Sequence, residues 1–73
     1  MARFIKAMAA LAAKTNCLFT FDEASGTAYL IECGPNGRPA RNVWRKAFTF
    51  DGVNVTVKVH GKTLRTFPLA QIA

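Results

Sequence analysis

Acid is what this sequence has least of: four carboxylates, Asp22, Glu23, Glu32 and Asp51, face ten lysines and arginines. The shortage is uneven. Residues 1–37 balance Arg3, Lys6 and Lys14 against Asp22, Glu23 and Glu32, whereas residues 38–73 set Arg38, Arg41, Arg45, Lys46, Lys58, Lys62 and Arg65 against Asp51 alone. The formal net charge of +6 therefore lies on the second half. An excess gathered in this way points to an anionic partner, whether nucleic acid, an acidic protein surface or anionic lipid.

Other scarcities exclude chemistry. His60 is the only histidine, and its place beside an expected turn favours a left-handed backbone residue over a general base. The carboxylates show no paired spacing, so no catalytic residue is assigned and the chain is read as non-enzymatic. Cys17 and Cys33 with His60 fall short of the four ligands of a structural zinc, and no C-x-x-C spacing occurs, so neither metal nor cofactor is expected. Two cysteines make no disulfide framework; they read as small hydrophobes in a reducing, cytoplasmic setting. Gly34-Pro35-Asn36-Gly37 lacks the spacing and lysine of a phosphate loop, and no small-molecule substrate is assigned. No apolar run approaches the roughly 18 residues of a membrane span. The first 13 residues imitate a signal peptide in miniature, but the run is alanine-rich and stopped by Lys14.

What is present is a core. With 73 residues, 51% of them hydrophobic, the chain reads as a single small domain near the lower size limit for folding without staples. Its organising stretch is Val43–Val59, where Asp51-Gly52 separates two runs of β-branched and aromatic residues, a strong hairpin signal. Taking Asp51 and Gly52 as the loop pairs Phe50 with Val53, Phe48 with Val55, Lys46 with Val57 and Trp44 with Val59 on one face. Thr49 and Asn54, Ala47 and Thr56, Arg45 and Lys58, and Val43 and His60 then pair on the other. One face is apolar and the other basic. Lys46 falls on the apolar face, where its stem is expected to pack near an edge while the ammonium reaches water.

Residues 3–14 read as a helix, with Phe4, Ile5, Met8 and Leu11 on one arc, Arg3, Lys6 and Lys14 opposite, and alanines on the flanks. Thr15-Asn16 stops it. Residues 17–21 and 27–33 read as strands joined by the loop 22–26. Phe19, Phe21, Tyr29 and Ile31 can share the face that joins the core, and Leu18, Ala28 and Leu30 make the opposite face apolar too. Apolarity on both faces predicts a second cover, either barrel closure or a homodimer. Residues 34–40 are loop chemistry. His60-Gly61 turns into a fifth strand, 62–67, with Leu64 inward and Arg65 and Phe67 on the basic face, and Pro68 ends it. The expected core is Phe4, Met8, Leu11, Phe19, Ile31, Trp44, Phe48, Val55, Val57 and Leu64.

The expected fold class is α+β: one N-terminal helix packed on a four- to five-stranded antiparallel meander, with a small open barrel as the alternative closure. The order of elements resembles that of Sm-like RNA-binding rings, whose signature glycine and aspartate motifs are not found here; ring assembly is not implied. The expected site is the basic face. Arg45 opposite Lys58, with Arg65 one strand on, Phe67 nearby and Arg38 and Arg41 on the adjoining loop, suits a nucleic-acid backbone. The alternative is an accessory or inhibitor protein, of the small basic kind that phages and mobile elements carry, docking on a host protein.

Overall fold

A computed structural model describes residues 1–34 and 45–72. Helix α1 (Ala2–Lys14) is followed by strands β1 (Cys17–Asp22), β2 (Thr27–Glu32), β3 (Arg45–Phe50), β4 (Asn54–Val59) and β5 (Lys62–Pro68), then a short 3-10 turn, Leu69–Gln71. The strands form one antiparallel meander in sequence order, β1-β2-β3-β4-β5, with β1 and β5 at the edges among the described residues and not closed into a barrel.

Alanine-rich α1 buries Phe4, Ala7, Met8 and Ala12 against the sheet, chiefly over β1 and β2. The Phe4 ring stacks on Phe50, centroids 5.1 Å apart and planes within 10°. The helix stops where Thr15 donates from both its backbone N–H and its hydroxyl to the Leu11 carbonyl. Asn16 then turns the chain at φ 57, the left-handed conformation in which asparagine costs least. At the other terminus the Leu69 N–H donates to the Val53 carbonyl, 3.0 Å, which folds the apolar tail over the core.

Three turns decide which side chains enter that core. In the first, Asp22 belongs to the strand and pairs with Thr27, so the loop has four residues rather than five. The Asp22 carboxylate accepts from the Ala24 N–H and the Ser25 hydroxyl, and Gly26, at φ 69, donates to the Asp22 carbonyl. That single residue reverses β2: Phe19 now faces Leu30 and Phe21 faces Ala28 on the helix side. Tyr29 and Ile31 lie on the outer face, opposite to expectation.

In the second turn, the Asp51 N–H bonds to the Asn54 carbonyl and Gly52-Val53 form the tip. Phe50 therefore pairs with Val55, and Phe48 with Val57. The expected pairs, Phe50 with Val53 and Phe48 with Val55, are displaced by two positions along β4. An even displacement preserves the faces, so Phe48, Val55 and Val57 are buried as expected. The Asp51 carboxylate accepts the Asn54 and Val53 N–H groups at 2.7 and 2.9 Å. These bonds hold its carboxyl below the ordinary carboxylate value, that from Asn54 contributing most. A depressed folded value adds stability above the unfolded-chain value and loses it as pH falls through the folded one. Wild type should therefore exceed Asp51→Asn in thermal midpoint at pH 7, and the gap should narrow as pH drops below about 4. A gap independent of pH would remove the carboxylate from this role.

The third turn, His60-Gly61, has both residues at positive φ, 54 and 77, as a type I′ hairpin demands. Beyond it the register breaks: Lys58 pairs with Thr63 but Val57 pairs with Arg65, leaving Leu64 as the extra residue of a bulge. The bulge reverses the rest of β5. Phe67 turns inward opposite Val55 and is 7% exposed, whereas Leu64, expected inside, is 61% exposed. Arg65 faces Val57 on the helix side of the sheet, not the outer side.

Lys46 lies on the helix side opposite Leu30, on a central strand rather than at an edge, and its ammonium reaches water at the strand end beside Glu32, 4.0 Å away. So exposed a pair adds little stability. Trp44, Arg38 and Arg41 fall outside the described residues.

Candidate nucleic-acid interface

The helix and tail pack on one face of the sheet, and alternation sets the other. Across the outer face, register aligns Leu18, Ile31 and Arg45 in one row. Thr20, Tyr29, Ala47, Lys58 and Thr63 form the next, and Thr49, Thr56 and Thr66 the one after. Thr56 and Thr66 stand 3.3 Å apart, hydroxyl to hydroxyl. The surface is thus mostly hydroxyl and small side chains, with two cations, Arg45 and Lys58, both exposed.

Arg45 and Lys58 share a face, as expected, but do not oppose one another. Lys58 faces Ala47, two residues beyond Arg45, so the two cations are diagonal neighbours roughly 7–8 Å apart at Cβ. Direct repulsion between them is accordingly not a feature of this face. Arg45 has instead found Tyr29, with its guanidinium carbon 5.1 Å from the ring centroid. Such a contact holds a long cationic side chain over a rigid surface.

Charge is also polarised along the strands. Arg45 and Lys46 begin β3, Lys58 lies near the end of β4, Lys62 begins β5 and Lys14 ends α1, so all gather at one end of the sheet. Asp22, Glu23 and Asp51 occupy the turns at the other end. Glu32 is the one carboxylate at the basic end among the described residues, and it lies on the helix side beside Lys46.

The structure separates the remaining expected site residues. Arg65 is exposed on the opposite face with its guanidinium carbon 5.1 Å above the Phe67 ring. Phe67 is core, closed to any stacking base. Tyr29 was missed: Asp22-x-x-x-Gly26 was the available signal, since an aspartate that caps its own turn remains in the strand and shortens the loop by one. Among the described residues no group of three or more His, Cys, Asp or Glu side chains gathers as metal ligands would, and no helix is long and apolar enough to cross a membrane. Cys17 and Cys33 are free thiols: Cys17 faces Glu32 on the helix side, while Cys33 lies one position further, bonded to the Asn16 carbonyl. Comparison with protein families, curated proteins and solved structures finds no match.

Proposed function

We propose that this is a non-enzymatic protein that binds nucleic-acid backbone across the basic end of the outer sheet face. Arg45 and Lys58 are the phosphate contacts, with Arg38 and Arg41, which precede β3 in the chain, adding charge. The observation that carries this reading is the Arg45–Tyr29 contact on a face where no carboxylate neighbours either cation. A guanidinium already held over a ring loses less freedom when it grips a phosphate, and its fork suits two phosphate oxygens. The flanking threonine rows supply hydroxyl donors to backbone oxygens, and among the described residues no recognition helix is offered to base edges, so binding is weakly sequence-specific.

The test is a salt titration with mixed-sequence single- and double-stranded probes. Removing two phosphate contacts in Arg45→Ala/Lys58→Ala should lower the slope of log affinity against log salt by about 1.4–1.8. Arg65→Ala removes the same kind of charge from the other face and should leave the slope nearly unchanged. A slope loss in Arg65→Ala about half that of the double variant, in proportion to the charge removed, would reduce the interaction to net charge. No binding by wild type at low salt would favour the alternative, a protein partner docked on the same surface.

A further inference from the structure

The basic end of the outer face divides into two halves of different chemistry. Strands β3 and β4 contribute the cations Arg45 and Lys58, while β1 and β2 beside them contribute Leu18, Ile31 and Tyr29. Leu18 is 42% exposed, and Ile31 and Tyr29 are half-buried. Among the described residues no element packs over them.

Tyr29 stands between Thr20 and Ala47, both too short to cover its ring. The Arg45 guanidinium carbon lies 5.1 Å from the ring centroid, beyond the roughly 3.5–4.0 Å of atoms in full contact. The cation is held near the ring without sealing it. Asp22 is the one carboxylate that alternation puts on this face among the described residues, and bonds from Ala24 and Ser25 turn it into its own loop.

An aromatic ring in an apolar strip, bordered by cations, matches a nucleic-acid strand whose bases are unpaired. Such a strand carries planar, apolar base faces beside a line of phosphates. A duplex hides its base faces in its own stack and presents phosphates and groove edges. It would meet Arg45 and Lys58 but would set sugar and phosphate against Tyr29, Ile31 and Leu18. We infer that the ligand is single-stranded, with one unpaired base stacked on Tyr29 and the adjoining phosphate held by Arg45 at the rim of that ring. Lys58, diagonal to Arg45, takes the next phosphate. The inference rests on the reading of Arg45 and Lys58 as phosphate contacts and adds a base contact to it. Stacking tolerates any base, so what it confers is a preference for strand state rather than for sequence.

Three probes of equal length separate base from backbone: mixed-sequence single-stranded DNA, its duplex, and a strand of abasic sugar-phosphate. At moderate salt, where the backbone contribution is reduced, wild type should prefer the single strand to its duplex. It should bind the single strand about 5- to 150-fold more tightly than the abasic strand, the range for one base stacked on an aromatic side chain. Tyr29→Leu should lose that factor on the single strand, with little change on the other two probes and an unchanged salt slope. Tyr29→Phe keeps the ring and should stay close to wild type. In wild type itself, the Tyr29 ring protons should shift upfield when the single strand is added and stay in place with the abasic one.

A wild type that prefers the duplex, or binds the abasic strand as tightly as the single strand, overturns the inference. So do unmoved Tyr29 ring protons, or a Tyr29→Leu variant weakened equally on all three probes, which would mean that Tyr29 acts only by holding Arg45. Each of these results leaves the phosphate contacts standing. Absence of binding to every probe removes those contacts and the stacked base together.

Discussion

Phe4→Ala is expected to cost about 3–5 kcal/mol. Phe4 is fully buried, and its ring is the point where α1 meets the central strands, stacked on Phe50 at 5.1 Å. Truncation removes the transfer free energy of the ring, leaves a cavity under a short helix, and abolishes an aromatic pair that adds about 0.5–1.5 kcal/mol. A domain of this size has a total stability of roughly 4–11 kcal/mol, so the variant should be marginal or unfolded at 37 °C. Lys6→Ala, two residues on and solvent-exposed, should stay within about 0.5 kcal/mol of wild type and reports the background cost of changing this helix. Phe50→Leu keeps most of the buried area and loses the stacking, so it should fall between the two. Denaturant midpoints measure all three. A Phe4→Ala midpoint equal to that of Lys6→Ala would show that the helix docks elsewhere.

How far the sequence speaks depends on parity. Assigning a side chain to a face of a sheet is an odd-or-even decision, repeated after every turn. The Asp51-Gly52 signal located the central hairpin and its faces, and those survive because the true register differs from the expected one by an even step. The loop before that hairpin and the bulge in the strand after it each differ by one residue, and each reverses the side chains of its own strand. At Asp22 the cause is local and chemical: a carboxylate that bonds Ala24 and Ser25 keeps its own backbone in the strand. At Leu64 the cause is tertiary, since a regular ladder would set Thr66 opposite the fully buried Val55 and turn Phe67 out to solvent. Burying the aromatic ring outweighs the local cost of a bulge.

The same parity governs the site. Arg45 and Lys58 were legible as cations on one face because both lie on the central hairpin. Their relative position was not, because the two-residue step moves Lys58 from Arg45 to Ala47. Tyr29 was hidden behind the loop at Asp22, and Arg65 and Phe67 were misplaced by the bulge. A cluster of cations read from sequence was in fact two sites on opposite faces, each with an arginine laid over an aromatic ring. The Tyr29 pair lies on the sheet face that no other described element covers, and the Phe67 pair caps the core. That difference is why the first, and not the second, carries the functional reading.

The bulge makes the second large prediction. Phe67→Ala should cost about 3–5 kcal/mol, while Leu64→Ala should change stability by less than about 0.5 kcal/mol. An uninterrupted ladder beyond His60-Gly61 predicts the reverse order, with Leu64 inside opposite Val57 and Phe67 in solvent, so the pair of variants decides between registers. Deleting Leu64 is a sharper form of the test. Lys58 pairs with Thr63, and Val57 with Arg65. Removing the residue between Thr63 and Arg65 therefore leaves a regular ladder in which Phe67 still turns inward. The shortened chain should fold, with a denaturant midpoint far closer to wild type than that of Phe67→Ala. In the uninterrupted register the same deletion would remove a core leucine and reverse every side chain after it. A Leu64 deletion that fails to fold, together with a Phe67→Ala variant as stable as wild type, would return β5 to the face that simple alternation assigns and would place Arg65 beside Lys58 again.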